Sequence, residues 1–155
     1  FLGTGKKGEP QAGTTGIDTV GTAGTITQAQ LYKFDPNAVH FYILIVDDRL
    51  VDVEALKIKL SDYNSKYHDL EGLMVNSLVL SDNLQMITVN NFENSNTALT
   101  YIMGIHDSKY IFTRLQNSGE YHDFIITVEN YPVFFRSKDI QQYLKFFEKY
   151  YPLKK

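Results

Sequence analysis

The sequence predicts an α+β domain that follows an extended, Gly/Thr-rich N-terminal segment. Seven of the ten glycines, and only one of the aromatic residues, lie within residues 1–30. After residue 30, short β-branched runs alternate with segments whose apolar residues recur every three or four positions, which is typical of mixed strands and helices. The length of 155 residues, with 43% apolar residues, suits a single domain.

Residues 1–30 are predicted to be an extended or flexible tail. Gly loosens the backbone, Thr favours extended conformations, and the apolar residues of the segment are too few to build a core. One interpretation is a plain linker. The other is a segment that becomes ordered on a surface of this domain or of a partner. Because the chain begins with Phe1, we expect it to be part of a longer or processed polypeptide.

The first half of the domain is predicted to contain three strands and one helix. A nearly continuous apolar run predicts a strand at residues 39–46, and Asp52 is a suitable N-cap for the helix after it. The apolar face of this helix comprises Val53, Leu56, Leu60, Tyr63 and Tyr67. Strands at residues 74–80 and 84–90 are separated by three polar residues, which is a hairpin signal.

The second half is predicted to contain three helices and one strand. A helix begins after Asn94 with Ser95 as its expected cap, and a short helix covers residues 107–116. The residues expected to point inward are Ala98, Leu99, Ile102 and Met103 in the first helix and Tyr110, Ile111 and Leu115 in the second. A strand follows at 121–128, then a turn or single helical turn at 130–132, and a C-terminal helix over 138–151.

The predicted order of elements, without the short helix and the last helix, is βαββαβ. This is the order of a ferredoxin-like sandwich, a four-stranded antiparallel sheet with helices on one face. The prediction is therefore an α+β, ferredoxin-like βαββαβ sandwich with an additional short helix and a C-terminal helix, preceded by an extended tail. We expect the tail at 1–30 and a βαββαβ interaction domain at 31–155. The last helix should cover the same face or extend away as a contact element.

The composition excludes several classes of function. Without cysteine, the chain has no disulfide scaffold, thiolate metal site or Cys nucleophile. Its longest apolar run, at residues 41–46, is far shorter than the ~20 residues of a transmembrane helix. A net charge of −3 without a basic stripe disfavours nucleic-acid binding.

The sequence predicts no catalytic site, cofactor or metal. It contains no nucleophile elbow, Walker loop or HExxH motif, and its histidines are not spaced as paired metal ligands. His40 and His122 begin the first and last strands, which are expected to be neighbours, so the two could approach each other. A structural role is one interpretation, and a metal or pH-sensing pair is the other. Asp47 and Asp48 are interpreted as a charged strand terminus, because adjacent strand residues point to opposite faces.

Aromatic residues near the C-terminus are the candidate partner-binding site. They are too many for one side of a helix, so either the helix is buried on two faces or some of them are presented to a partner. The candidate residues are Tyr143, Phe146, Phe147, Tyr150 and Tyr151.

Several stretches of the domain resemble a known family. They are residues 32–36, 40–45, 89–92, 98–101, 124–127, Asn130 and 143–148. These stretches resemble the C-terminal region of tetratricopeptide-repeat lipoproteins of Bacteroidota, of the PorW/SprE type associated with the type IX secretion system and gliding motility. The resemblance implies a periplasmic, outer-membrane-attached protein that contacts other subunits of the secretion translocon. It implies no catalysis.

A second, local likeness leads to the alternative function. Residues 89–98, a strand followed by a helix with an inward Ala98, are similar to the repeat unit of SPOR domains, with a distorted counterpart around residues 41–60. Those domains are also βαββαβ, and the likeness implies binding to peptidoglycan glycan strands through the sheet face.

Overall fold

The structure, a computed structural model, describes residues 31–118 and 121–153, so the predicted tail at 1–30 lies outside the described residues. The chain divides into two units, Phe1–Lys33 and Phe34–Lys155, and every element named below belongs to the second. In chain order these elements are β1 (His40–Asp47), α1 (Val53–Tyr67), a 3₁₀ turn (Asp69–Glu71), β2 (Met74–Ser81), β3 (Leu84–Phe92), α2 (Ser95–Asp107), α3 (Lys109–Ser118), β4 (Tyr121–Thr127), α4 (Asn130–Ser137) and α5 (Ile140–Tyr150).

The four strands form one antiparallel sheet in the order β2-β3-β1-β4. This order, with α1 between β1 and β2 and α2 between β3 and β4, confirms the predicted α+β, ferredoxin-like fold. The β2–β3 hairpin is also confirmed, with Met74 opposite Asn90. β1 lies at the centre of the sheet, and its residues from Tyr42 to Val46 are all buried.

The helices lie on both faces of the sheet, whereas the sequence predicted one covered face. Tyr42 of β1 contacts Tyr101 of α2, and the Tyr101 hydroxyl donates a 2.7 Å hydrogen bond to Asn64 Oδ1 of α1. These contacts place α1 and α2 on one face. Phe124 of β4 points to the other face and packs against Tyr143 of α5 with ring centroids 4.6 Å apart. The last helix thus neither joins the α1/α2 face nor extends away.

The structure differs from two local predictions about helix starts. Residues 130–132, predicted as a turn or a single helical turn, are the first turn of the longer, eight-residue helix α4, which buries Phe134 against Phe124. Pro132 is compatible with this helix because a first-turn residue has no intrahelical partner for its N–H. The N-cap of α2 is Asn94 rather than Ser95, and its side chain accepts a 3.0 Å hydrogen bond from the Thr97 amide.

The inward faces of three helices differ in part from the prediction, and in α1 the predicted inward Tyr67 is 60% exposed. Ala98 and Ile102 are buried in α2, but Leu99 and Met103 are only half-buried, and Tyr101 and Ile105 take the innermost positions. Tyr101 faces inward because it contacts Asn64 of α1 and Tyr42 of β1. In α3, Ile111 and Leu115 are buried while Tyr110 is exposed.

Candidate partner-binding site

Helix α5 is held on the sheet by its own aromatic residues. Asp139 caps its N-terminus by accepting a 3.0 Å hydrogen bond from the Gln142 amide. Tyr143 is fully buried, and its hydroxyl donates a 2.7 Å hydrogen bond to the Ile125 carbonyl of β4. Phe147 is also buried, and its ring lies near that of Phe124. These contacts use one side of α5 for packing.

The end of α5 is joined to β1 through His40 and Tyr151, which are both buried. His40 Nδ1 lies 2.8 Å from the Ala38 carbonyl oxygen, and His40 Nε2 lies 2.8 Å from the Tyr151 hydroxyl. Because a carbonyl oxygen can only accept, Nδ1 carries the hydrogen and Nε2 accepts from Tyr151. Burial lowers the pKa of His40 and raises that of Tyr151. The pair is therefore neutral and has one hydrogen-bond direction.

A second set of aromatic residues lies on the side of α5 that faces away from the sheet. It comprises Phe146 and Tyr150 of α5 and Phe34 from the segment before β1, and we call it the α5 aromatic surface. Phe34 and Tyr150 are 40% and 38% exposed, and their rings stack with centroids 5.1 Å apart. Phe146 is half-buried, and its centroid lies 4.8 Å from that of Tyr150. The Lys149 ammonium lies 5.2 Å from the Tyr150 ring. The result is a continuous, partly exposed aromatic patch.

The structure divides the five candidate residues into two groups. Tyr143, Phe147 and Tyr151 are core residues, whereas Phe146 is half-buried and Tyr150 is exposed. Core packing therefore applies to three of the five residues, and presentation to a partner stays a prediction for Phe146 and Tyr150. Phe34 was not among the candidates, because it lies in a separate segment far from the C-terminal helix in sequence.

His40 and His122, for which the sequence leaves an approach open, lie far apart. The two strands are neighbours, but they are antiparallel, so their first residues lie at opposite ends of the pair. His40 is opposite Thr127, and His122 is opposite Ile45, five positions along β1. At roughly 3.3 Å per residue, this separates the two backbones by on the order of 16 Å.

A different carboxylate–imidazole contact lies on the α1/α2 face, and sequence reasoning missed it. Asp123 Oδ2 accepts a 2.9 Å hydrogen bond from the Tyr42 hydroxyl and lies 2.7 Å from Nε2 of His106 on α2. Burial, with the charge of Asp123, raises the pKa of Tyr42 well above its ordinary value. The carboxylate of Asp123 thereby accepts a hydrogen bond from the buried Tyr42 hydroxyl and connects β4 with β1 and α2.

The Asp47 and Asp48 carboxylates have separate partners. Asp47 accepts hydrogen bonds from Arg49 Nη2 at 2.6 Å and Nε at 3.0 Å, and these bonds lower its pKa to about 2. Asp48 accepts from the Gln85 side chain at 3.4 Å. The two acids therefore do not share one binding point.

Comparisons with protein-family models, with curated proteins and with solved structures gave no match. Within residues 31–118 and 121–153, no three His, Asp or Glu residues gather in a way that would hold a metal ion. Among the helices of that same part of the chain, none has both the length and the apolarity needed to cross a membrane. The α5 aromatic surface is the candidate site, because it joins two distant segments in one exposed patch.

Proposed function

We propose that the chain is a non-catalytic protein-interaction module of a cell-envelope secretion machine, part of a type IX secretion accessory lipoprotein that contacts the outer-membrane translocon. The observation that carries the proposal is the α5 aromatic surface. Helix α5 packs on the sheet through the buried Tyr143 and Phe147. Phe146 and Tyr150 lie outside that packed side of the helix. Partly exposed, stacked aromatic rings are typical anchors of protein–protein interfaces.

The family resemblance supports the same surface. Two of the stretches that carry it, residues 32–36 and 143–148, contribute Phe34 and Phe146 to the α5 aromatic surface. The first stretch lies before β1 and the second lies on α5, so the fold brings two resembling segments together at one exposed patch. The periplasmic, outer-membrane-associated location follows from the resemblance and belongs to the proposal.

The experiment is affinity capture from envelope extracts of a bacterium that has a type IX secretion system. The 155-residue chain should recover translocon subunits, and the double variant Phe146→Ala/Tyr150→Ala should recover at least about tenfold less, because both anchors are lost. Tyr110→Ala is the matched control, since Tyr110 is an exposed tyrosine on α3. Recovery of no secretion subunit, or equal recovery by the double variant and the control, would contradict the proposal.

The alternative is a SPOR-like peptidoglycan-binding module, which requires an open sheet face with aromatic and amide groups. Helices α4 and α5 cover this face over β4, through Phe124. The uncovered part over β2 presents the exposed side chains of Met74, Asn76 and Leu78, which include one amide and no aromatic ring. Protein interaction is therefore favoured. Co-sedimentation with purified peptidoglycan tests the alternative directly, because a glycan-binding module would pellet with it.

A further inference from the structure

Strand β2 forms one edge of the sheet and has few of the features that usually protect an edge strand. Among the described residues, no strand pairs with its outer side. Its eight residues include no charged side chain and no proline. Natural edge strands are usually kept from pairing with other chains by lysines, prolines, bulges or short length. β2 has one such device, a register shift between Val79 and Ser81. Residues 74–79 form a regular edge without charged residues, proline or a bulge.

The side chains of this edge are apolar and exposed. Met74 is 62% exposed, Leu78 48% and Val79 62%. Leu78 and Val79 are adjacent, so they point to opposite faces of the sheet. An added strand would thus find apolar side chains on both faces, together with the backbone groups of β2.

Acidic residues lie beyond both ends of the edge. Asp69 and Glu71 precede β2, and Glu93, which lines one cavity with Glu71, follows the neighbouring strand at the same end. The His68 side chain contacts Glu71 there, with Nδ1 2.5 Å from Oε1. Asp82 lies in the hairpin turn at the other end. The edge is therefore uncharged in its middle and acidic at both ends.

We propose that the β2 edge binds an extended segment of another protein, one that is uncharged and β-branched at its centre and carries Lys or Arg at both ends. The bound segment adds a fifth strand through backbone hydrogen bonds, and its basic ends meet the acidic ends of the edge. A second copy of this chain fits less well. Antiparallel self-pairing centred on Ser77 places Asp82 of one copy opposite Gly72 of the other, beside Glu71, so like charges meet at both ends.

This inference is independent of the proposed function, because it concerns a surface that shares no residue with the α5 aromatic surface. Its test uses the 155-residue chain and three labelled peptides with the same core of about six alternating Thr and Val residues. The first peptide carries two Lys at each end. The second carries two Glu at each end. The third has the Lys ends but N-methylated alternate core amides, which cannot pair with a strand edge.

Fluorescence anisotropy should show binding of the Lys-flanked peptide, with affinity at least about tenfold weaker for the Glu-flanked and the N-methylated peptides. Leu78→Lys should weaken binding of the Lys-flanked peptide by a similar factor, because a charge on the edge opposes pairing. Ile58→Lys is the matched control, since Ile58 is exposed on α1, outside β2. Hydrogen exchange should slow at β2 amides in the complex.

Four outcomes would overturn the inference. The first is no binding of the Lys-flanked peptide up to about 1 mM. The second is equal binding of the N-methylated peptide, which would exclude strand addition. The third is equal binding of the Glu-flanked peptide, which would exclude the charge match. The fourth is a dimer of the free chain in sedimentation that Leu78→Lys dissociates, which would assign the edge to a second copy. None of these results bears on capture through Phe146 and Tyr150.

Discussion

The two edges of the sheet, β4 and β2, are built in opposite ways. β4 is covered on both faces, by α2 through Asp123 and by α4 and α5 through Phe124. β2 packs against α1 and leaves Met74, Leu78 and Val79 exposed. The fold therefore concentrates its buried packing at one edge of the sheet and its exposed apolar side chains at the other. β4 is packed on both faces, whereas β2 leaves apolar side chains exposed beside its unpaired outer backbone.

The contrast arises from the elements that come after each strand in the chain. β4 is succeeded directly by α4 and α5, whose aromatic residues return to its outer face. β2 is followed by the hairpin turn and by β3, which pairs with one side of β2 and covers neither of its faces. The last helices therefore stabilise the edge nearest to them in sequence.

The largest expected effect is on the β4 side. Phe124→Ala should lower the free energy of unfolding by about 3–5 kcal/mol, because a buried ring that contacts Phe134 and Tyr143 would leave a cavity. Leu78→Ala on the β2 edge should change it by only about 0.5 kcal/mol. Urea denaturation followed by circular dichroism measures both.

A variant with a smaller change keeps this comparison testable if Phe124→Ala does not fold. Phe124→Leu should remain folded and cost about 1–1.5 kcal/mol, since it preserves much of the buried volume. Equal losses at Phe124 and Leu78 would show that the two edges contribute alike to stability.

An intermediate effect is expected at Asp123, on the other face of β4. Its carboxylate is only 8% exposed and accepts from Tyr42 and His106. Asp123→Ala leaves the buried Tyr42 hydroxyl without this acceptor, which should cost about 1–3 kcal/mol. Asp123→Asn retains one acceptor oxygen and should cost less. Asp69→Ala, at the exposed Asp69 near β2, should be nearly neutral, and a loss there as large as that of Asp123→Ala would contradict the contrast between edges.

Much of the fold could be predicted from the sequence, because strands and helices here follow local patterns. The hairpin at β2–β3 and the order βαββαβ need only alternation, turn residues and helical spacing. The face chosen by α5 could not be predicted in this way. It depends on the contact between Phe124 and Tyr143, and apolar periodicity reveals which side of a helix is buried but not against which surface.

The candidate site could be predicted only in part, for a related reason. Helical spacing marked Tyr143, Phe147 and Tyr151 together, and these three proved to be core. Phe34 became part of the site through a contact with Tyr150 that spans more than a hundred residues. The sequence left open whether His40 and His122 approach each other, and they do not, because antiparallel pairing places the two strand starts at opposite ends.

The smallest expected effect is a pH dependence at the junction of β1 and α5. Burial lowers the pKa of His40 below its ordinary 6.5, while the hydrogen bond to Ala38 and the charge of Asp35 partly oppose this. The unfolded chain therefore binds a proton at a higher pH than the folded chain does. The stability that depends on neutral His40 is complete above pH 6.5 and is lost as the pH falls from 6.5 towards the lower folded value.

Urea denaturation of the wild type at a series of pH values should therefore show the free energy of unfolding decreasing below pH 6.5. His40→Gln should remove this part of the decrease, because Gln has no proton to gain, and the difference between the two chains isolates it from the carboxylates. The same decrease should persist in His68→Gln, since His68 contacts Glu71 in the turn before β2 and Tyr101 of α2 rather than α5. If His40→Gln and the wild type have parallel profiles, His40 does not couple the α5 end to proton binding.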